Sequence, residues 1–197
     1  MINIDKIQKH VIEKLQDGLP QFLSYHNTGH TLDVLKQSMN IAADEGISSR
    51  NDLLLLQTGA LYHDVGFIEA YNGHEEKSCA IAQRELGAFG FTQSQIDVIC
   101  GMIMATRIPQ SPHNILEMIL CDADLDYLGR TDFYAIGNGL YNEFLHQHIV
   151  SDETDWNQLQ VGFLERHRYF TRTSRQKREQ FKQQHLEEIR KKLAVAG

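Results

Sequence analysis

The sequence has little of several things. Three Pro and fourteen Gly in 197 residues, with no internal repeat, exclude a collagenous or low-complexity chain. Cysteine is scarce: Cys79, Cys100 and Cys121 are an odd number, far apart, with no Cys-x-x-Cys. That usage predicts free, buried thiols in a reducing cytoplasm rather than a disulfide framework. No apolar run approaches the ~18 residues of a membrane helix, Leu53 to Leu56 being a short core-like run. The first fourteen residues mix charged and apolar side chains at helical spacing and contain no signal-peptide apolar segment. A cytoplasmic protein with no membrane partner is expected. Linkers rich in Gly, Pro or Ser are lacking, and no segment alternates apolar and polar residues with period two.

What is present points to helices around a sizeable core. Hydrophobic residues make up 42% of the chain, enough to fold without staples and too many for a disordered one. The net charge of −7 disfavours binding to a nucleic-acid polymer. It is unevenly spread. Residues 165–192 carry ten Lys/Arg against four Asp/Glu, and the remainder nine against twenty-two. A solvated basic helix face is the first reading of that end, and a phosphate-contacting tail the second.

Apolar residues recur at helical spacing almost throughout. The stripes are Ile4/Ile7/Val11/Leu15, then Leu32/Leu35/Met39 with Ala42 and Ala43, and then a fully buried helix from Leu53 to Tyr62. A fourth helix is expected between Gly73 and Gly87, a fifth through Ile96, Ile99, Ile103 and Met104, and a sixth through Ile115, Met118, Ile119 and Leu125. Stretches 131–149, 155–170 and 174–194 complete the set, with Asp152 and Ser174 as expected N-caps. The expected fold class is all-α: one helical-bundle domain over 1–197, with a motif-bearing core at about 22–130 and helices of 131–197 packed on it.

Three segments could carry chemistry. Tyr25-His26-Asn27-Thr28-Gly29-His30 precedes the second helix and puts His30 in its first turn, with His26 just upstream. His63-Asp64 follows the buried helix and precedes Gly66, which can break it. Asp122, Asp124 and Asp126 alternate inside an apolar helical stretch. Positions two apart on a helix point about 200° apart, so the three cannot share one direction. Asp124 shares a sector with Leu120, Cys121 and Leu128 and is expected to point inward, with Asp122 and Asp126 toward solvent or helix ends. A lone His-Asp pair is weak, since chance supplies about 0.7 in such a composition. Buried Asp and His on several helices nevertheless need a compensating partner or cation. Imidazole and carboxylate together suit a divalent ion: Mn, Mg, Fe, Co or Zn.

With these flanking residues the sequence resembles the HD-domain superfamily of metal-dependent phosphohydrolases over roughly residues 22–130. Its H…HD…D signature falls at His30, His63-Asp64 and Asp124. Tyr25-His26-Asn27-x-x-His30-Thr31-x-Asp33-Val34 looks like the first motif of the cyclic-nucleotide phosphodiesterase branch. Leu61-Tyr62-His63-Asp64-Val65-Gly66 looks like the central motif, and residues 121–129 like the last. The resemblance implies a phosphodiesterase-like helical bundle. His30, His63, Asp64 and Asp124 would hold one ion firmly, and Asp64 would bridge to a second. A bridging hydroxide would attack phosphorus, and His26 would protonate the leaving oxygen. A helix-entry histidine packing on Tyr25 is the plainer reading of His26.

The chain also departs from the family's patterns. Branches with a richer dinuclear site add two His, of which His74 would be one. The other would fall near Ala105-Thr106-Arg107, where none stands. The second ion is thus weak, or the site is mononuclear. The chain is much shorter than eukaryotic phosphodiesterase domains, so cyclic-nucleotide specificity does not carry over. Substrate phosphate needs cations, and His74, Lys77 and Arg107 are the candidates, with Arg130 nearby and Glu69 a supporting carboxylate. For Arg107 the competing role is pairing with a helix C-terminus. The expected substrate is a phosphomonoester or phosphodiester of a nucleotide or other small molecule. A non-catalytic, metal-stabilised module binding a ligand or partner is the alternative, and a di-iron oxygenase a more distant one. The oligomeric state is left open, a homo-oligomer included.

Overall fold

A computed structural model describes residues 2–196. Its caps explain where its helices start. Asn3 accepts from the Lys6 amide and begins α1 (Ile4–Gly18), whose Ile7, Val11 and Leu15 are buried at successive turns. Asn27 begins α2 (Thr28–Asp44) by accepting from the amides of Gly29 and His30. Ser49 caps α3 (Arg50–Tyr62), whose last five residues are all buried. The chain then tightens into a 3-10 turn, Val65–Ile68. Gly73, at φ 73°, provides the left-handed turn into α4 (His74–Glu85). A second 3-10 turn (Leu86–Phe89) leads to a reciprocal capping box of Thr92 and Gln95, which opens α5 (Gln93–Ala105). Next comes α6 (Ile115–Asp124). Beyond a 3-10 turn (Asp126–Gly129) lie α7 (Phe133–His146), α8 (Glu153–Arg166) and α9 (Arg172–Ala196). The protein is all-α, with no strand among the described residues. No helix there is long and apolar enough to cross a membrane.

The chain forms two compact units. The first comprises residues 1–20 and 26–124 and holds α1 to α6. There α2 packs on α3 and α6, and α5 on α3 and α4. Leu56, Leu61, Ile99, Met102, Ile103, Ile119 and Leu120 are fully enclosed in its core. The second unit comprises residues 21–25 and 125–197. Its 3-10 turn lies against α9 so closely that a Cβ on Gly129 would come within 2.4 Å of the Arg178 carbonyl oxygen. Arg178 clamps Asp126 through Nε and Nη2 at 2.7 and 3.0 Å. Tyr25 donates its amide to the buried Glu143 carboxylate, and Ser24 its hydroxyl to the Gly139 carbonyl.

Several expectations need correction. Asp152 caps α8 as expected. Ser174 does not cap α9; it lies inside the helix, and its amide donates to Thr171 Oγ1. The sixth helix stops at Asp124, because Leu125 leaves the helical region (φ −106°, ψ 18°) for the 3-10 turn. The expectation that Asp122 and Asp126 lie toward solvent or helix ends holds only in part: Asp122 lies within α6 on its buried side, and Asp126 lies past the helix end in the 3-10 turn. Both are buried, at 0% and 3% exposure, and Asp126 is compensated by Arg178 and Arg130. Of the three thiols, Cys79 and Cys121 are buried, but Cys100 is only half-buried.

Candidate metal centre

Helix ends bring the signature residues together in the first unit. His30 stands in the first turn of α2, fixed by the Asn27 cap. His63 is the residue that closes α3, and its Nδ1–H donates to the Ala60 carbonyl at 2.8 Å. A carbonyl can only accept, so that bond commits Nδ1 as donor and turns Nε2 into the cluster. Asp64 follows at φ −108°, ψ 3°, where the backbone turns out of the helix. Asp124 is the last residue of α6.

Their ligand atoms converge. His63 Nε2 is 3.2 Å from His30 Nε2, 3.2 Å from Asp64 Oδ2 and 3.6 Å from Asp124 Oδ1. His30 Nε2 is 3.3 Å from Asp64 Oδ2 and 3.2 Å from Asp124 Oδ1. Donors held at ~2.0–2.2 Å around one ion stand ~2.9–3.6 Å from each other, for octahedral to tetrahedral angles. The separations match that range. Asp64 Oδ2 is buried and accepts no hydrogen bond of regular geometry, its imidazole neighbours standing at 3.2 and 3.3 Å, an arrangement that favours a cation between them. His30, His63 and Asp124 form a cluster able to hold a metal ion. Asp64 Oδ2 adjoins the two imidazole nitrogens at 3.3 and 3.2 Å but lies outside that mutually close set.

The charges balance in either of two ways. Burial alone would lower His30, but Asp124 and Asp64 raise it to about 9. Burial opposes charge on His63 as well, yet the same two carboxylates hold it well above the ordinary imidazole value. Burial would raise Asp124 and Asp64, but the imidazoles bring Asp124 to about 2 and hold Asp64 well below the usual carboxylate range. Without a cation the carboxylates favour protons on the imidazoles; one divalent ion with two neutral imidazoles would balance the same two carboxylates.

Around this cluster the other expected residues are placed unequally. His74, first in α4, points Nε2 at the other oxygen of Asp64 (Oδ1, 3.5 Å) and at Glu75 Oε1 (3.6 Å). His26 lies beside the cluster, its ring 6.0 Å from that of His30 and 6.2 Å from that of His74. It stacks on one face of Phe67 at 4.2 Å, and His74 stacks on Phe67 at 3.9 Å. Lys77 is engaged by Glu69 at 3.8 Å, and Arg107 by Glu76 at 2.5 Å. Glu69 also binds Arg84, so it works at the surface. Arg130, in the second unit, pairs with Asp126 and Asp132. At the end of α5, Thr106 turns its hydroxyl back to the Ile103 carbonyl and supplies no imidazole.

Sequence reasoning passed over Glu75 and Phe67. Glu75 is buried next to His74, and its signal was a carboxylate beside a candidate ligand in a first helical turn. Phe67 lies three residues past the His-Asp pair, and nothing in its spacing distinguishes a stacking platform from core.

Comparison with known proteins agrees with this geometry. A family profile described as HD domain matches residues 28–126. A crystal structure of a predicted HD superfamily hydrolase from an uncultured Thermotogales bacterium is similar, with 23% identity and a TM-score of 0.61, over 96% of this chain and 92% of its own. A Lactobacillus plantarum protein of known structure is similar at 16% identity and a TM-score of 0.66, over 99% of this chain and all of its own. At those identities the likeness concerns the fold alone. No protein of curated function matches significantly. The profile runs from the first residue of α2 to two residues past Asp124 and takes in all four converging side chains. The chain belongs to the HD-domain family.

Proposed function

We propose that the protein is a metal-dependent phosphohydrolase acting on a phosphomonoester or phosphodiester of a nucleotide or other small molecule. The observation that carries this is the convergence of His30 Nε2, His63 Nε2 and Asp124 Oδ1 at 3.2–3.6 Å, with the buried Asp64 Oδ2 at 3.2–3.3 Å from both imidazoles. His30, His63, Asp64 and Asp124 would hold the ion. Such an ion supplies Lewis acidity toward a phosphoryl oxygen and lowers the pKa of water into the neutral range. The rest falls to the chain's own groups. His26 stands outside the cluster on the Phe67 face, in a position to give a proton to the departing oxygen. His74 would orient phosphate from beside Asp64 Oδ1. Lys77 and Arg107 would contribute by exchanging Glu69 and Glu76 for substrate phosphate.

The test is a phosphatase and phosphodiesterase panel on chelator-stripped protein reloaded with Mn²⁺, Mg²⁺, Fe²⁺, Co²⁺ or Zn²⁺. Hydrolysis of at least one ester class is expected, restored by an ion and lost in His63→Ala and Asp64→Ala together with bound metal. Full metal occupancy in both variants would remove the centre. Tight metal binding with no hydrolysis across the panel would favour the ligand-binding module instead.

A further inference from the structure

One buried hydroxyl brackets the His63-Asp64 pair. Ser78, on α4, is 0% exposed. Its Oγ donates to the His63 carbonyl at 2.7 Å and accepts from the Gly66 amide at 2.8 Å. The two bonds meet the backbone on either side of Asp64, where α3 gives way to the 3-10 turn and the peptide groups have left the regular ladder. At Gly66 the contact is closer still. A Cβ there would lie 1.9 Å from the His74 carbonyl oxygen and 2.6 Å from the Ser78 amide nitrogen, so only glycine lets the turn approach α4. The Asp64 carbonyl accepts separately from the Phe67 amide at 3.1 Å.

We propose that Ser78 is a positioning residue for the metal centre: its hydroxyl sets the backbone turn that aims His63 Nε2 and Asp64 Oδ2 at the same point. The proposal rests on the metal-centre reading above. His63 contributes its carbonyl to Ser78 and its imidazole to the cluster, and two bonds beyond that carbonyl carbon stands Asp64 Cα. A small rotation of this peptide therefore moves both donor atoms. The neighbouring chain cannot substitute for the hydroxyl, because both backbone groups face α4, where Ser78 is the side chain that meets them. Groups that orient metal ligands commonly govern affinity ~10–100-fold when removed. A residue that merely fills space would instead change stability and leave the ion's coordination as it was.

The experiment compares Co²⁺ binding to the whole protein and to Ser78→Ala, Ser78→Cys and Val11→Ala, with chelator competition for affinity and the visible ligand-field spectrum for geometry. Val11 is a fully buried residue of α1 with no place in the site, and its truncation supplies a folded protein weakened by lost packing alone. Ser78→Ala is expected to lose ~10–100-fold in Co²⁺ affinity with an altered spectrum. Ser78→Cys, a weaker donor and acceptor, should fall between it and the parent and decides the matter if the alanine variant does not fold. Val11→Ala should keep the parent's affinity and spectrum. Parent-like Co²⁺ affinity and spectrum in the folded Ser78 variants would overturn the inference while leaving the metal centre intact. Failure of the parent itself to bind Co²⁺ would overturn both together.

Discussion

At the scale of single residues, the sharpest question concerns His26. Its imidazole is separated from the converging donors and lies flat on Phe67 rather than on a ligand. His26→Ala is therefore expected to keep its fold and its metal while kcat falls ~10²–10⁴-fold. The loss should depend on the leaving group, being small for p-nitrophenolate, which departs unprotonated, and large for an alkyl or ribose oxygen. Equal losses on both esters would make His26 a substrate-positioning group, and loss of the ion would place it among the ligands. A second expectation follows from the charge balance at the cluster. The carboxylates favour protons on both imidazoles, raising His30 to about 9 and His63 well above its ordinary value. An entering divalent ion must expel those protons, so apparent affinity should rise with pH until about 9. Calorimetry in two buffers of different ionisation enthalpy measures the release, and an affinity flat from pH 6 to 9 would contradict it. That His30, His63, Asp64 and Asp124 lie close together was legible in the sequence because they sit in recognisable motifs. Glu75 was not, because an acid in a first helical turn is commonplace.

At the scale of elements, α1, α3 and α4 meet at one carboxylate. Glu85 accepts from His10 Nε2 at 2.8 Å, Lys14 Nζ at 2.9 Å and the Tyr62 hydroxyl at 3.1 Å. Burial would raise Glu85, but Lys14 and His10 outweigh it and bring its pKa below the ordinary 4.5. A carboxyl with a depressed folded-state pKa stabilises above its unfolded value, and the effect is lost as pH falls through the folded one. Glu85→Gln should thus cost roughly 1 kcal/mol at pH 7, after screening at this partly exposed site. The deficit should close as pH falls through the lowered folded value. Urea unfolding at pH 7 and at successively lower pH measures it, and a deficit that stays constant would make the effect one of shape. Such convergence was invisible in sequence, where residues 10, 14, 62 and 85 belong to separate stripes. Helix existence was readable from the recurrence of Ile7, Val11 and Leu15, but helix ends were less so. The stop after Asp124 depends on a local dihedral change that apolar periodicity does not encode, so the sixth helix was expected to run on through Leu125, with Asp126 toward solvent or a helix end.

At the scale of the whole molecule, an ion bound only by the folded chain adds to its stability by mass action, about 2.7 kcal/mol at a hundred times Kd. The melting temperature should climb with added ion, return on chelation, and stay unmoved by ion in His63→Ala. A shift retained in that variant would locate the binding elsewhere. The all-α class was legible because no stretch shows period-two patterning. The division of contacts after Asp124 was not, since no Gly- or Pro-rich linker announces it. Asp124 also differs from its companions in access: its side chain is 16% exposed, against 8% for His30 and 1% for His63. It is the final residue of its helix, and final turns fray more readily than helix interiors. The cluster is thus bounded by well-enclosed donors and, at Asp124, by a more accessible one. An ion held there would exchange most readily past Asp124, and the lifetime of a loaded state should then follow the opening of that turn rather than global unfolding.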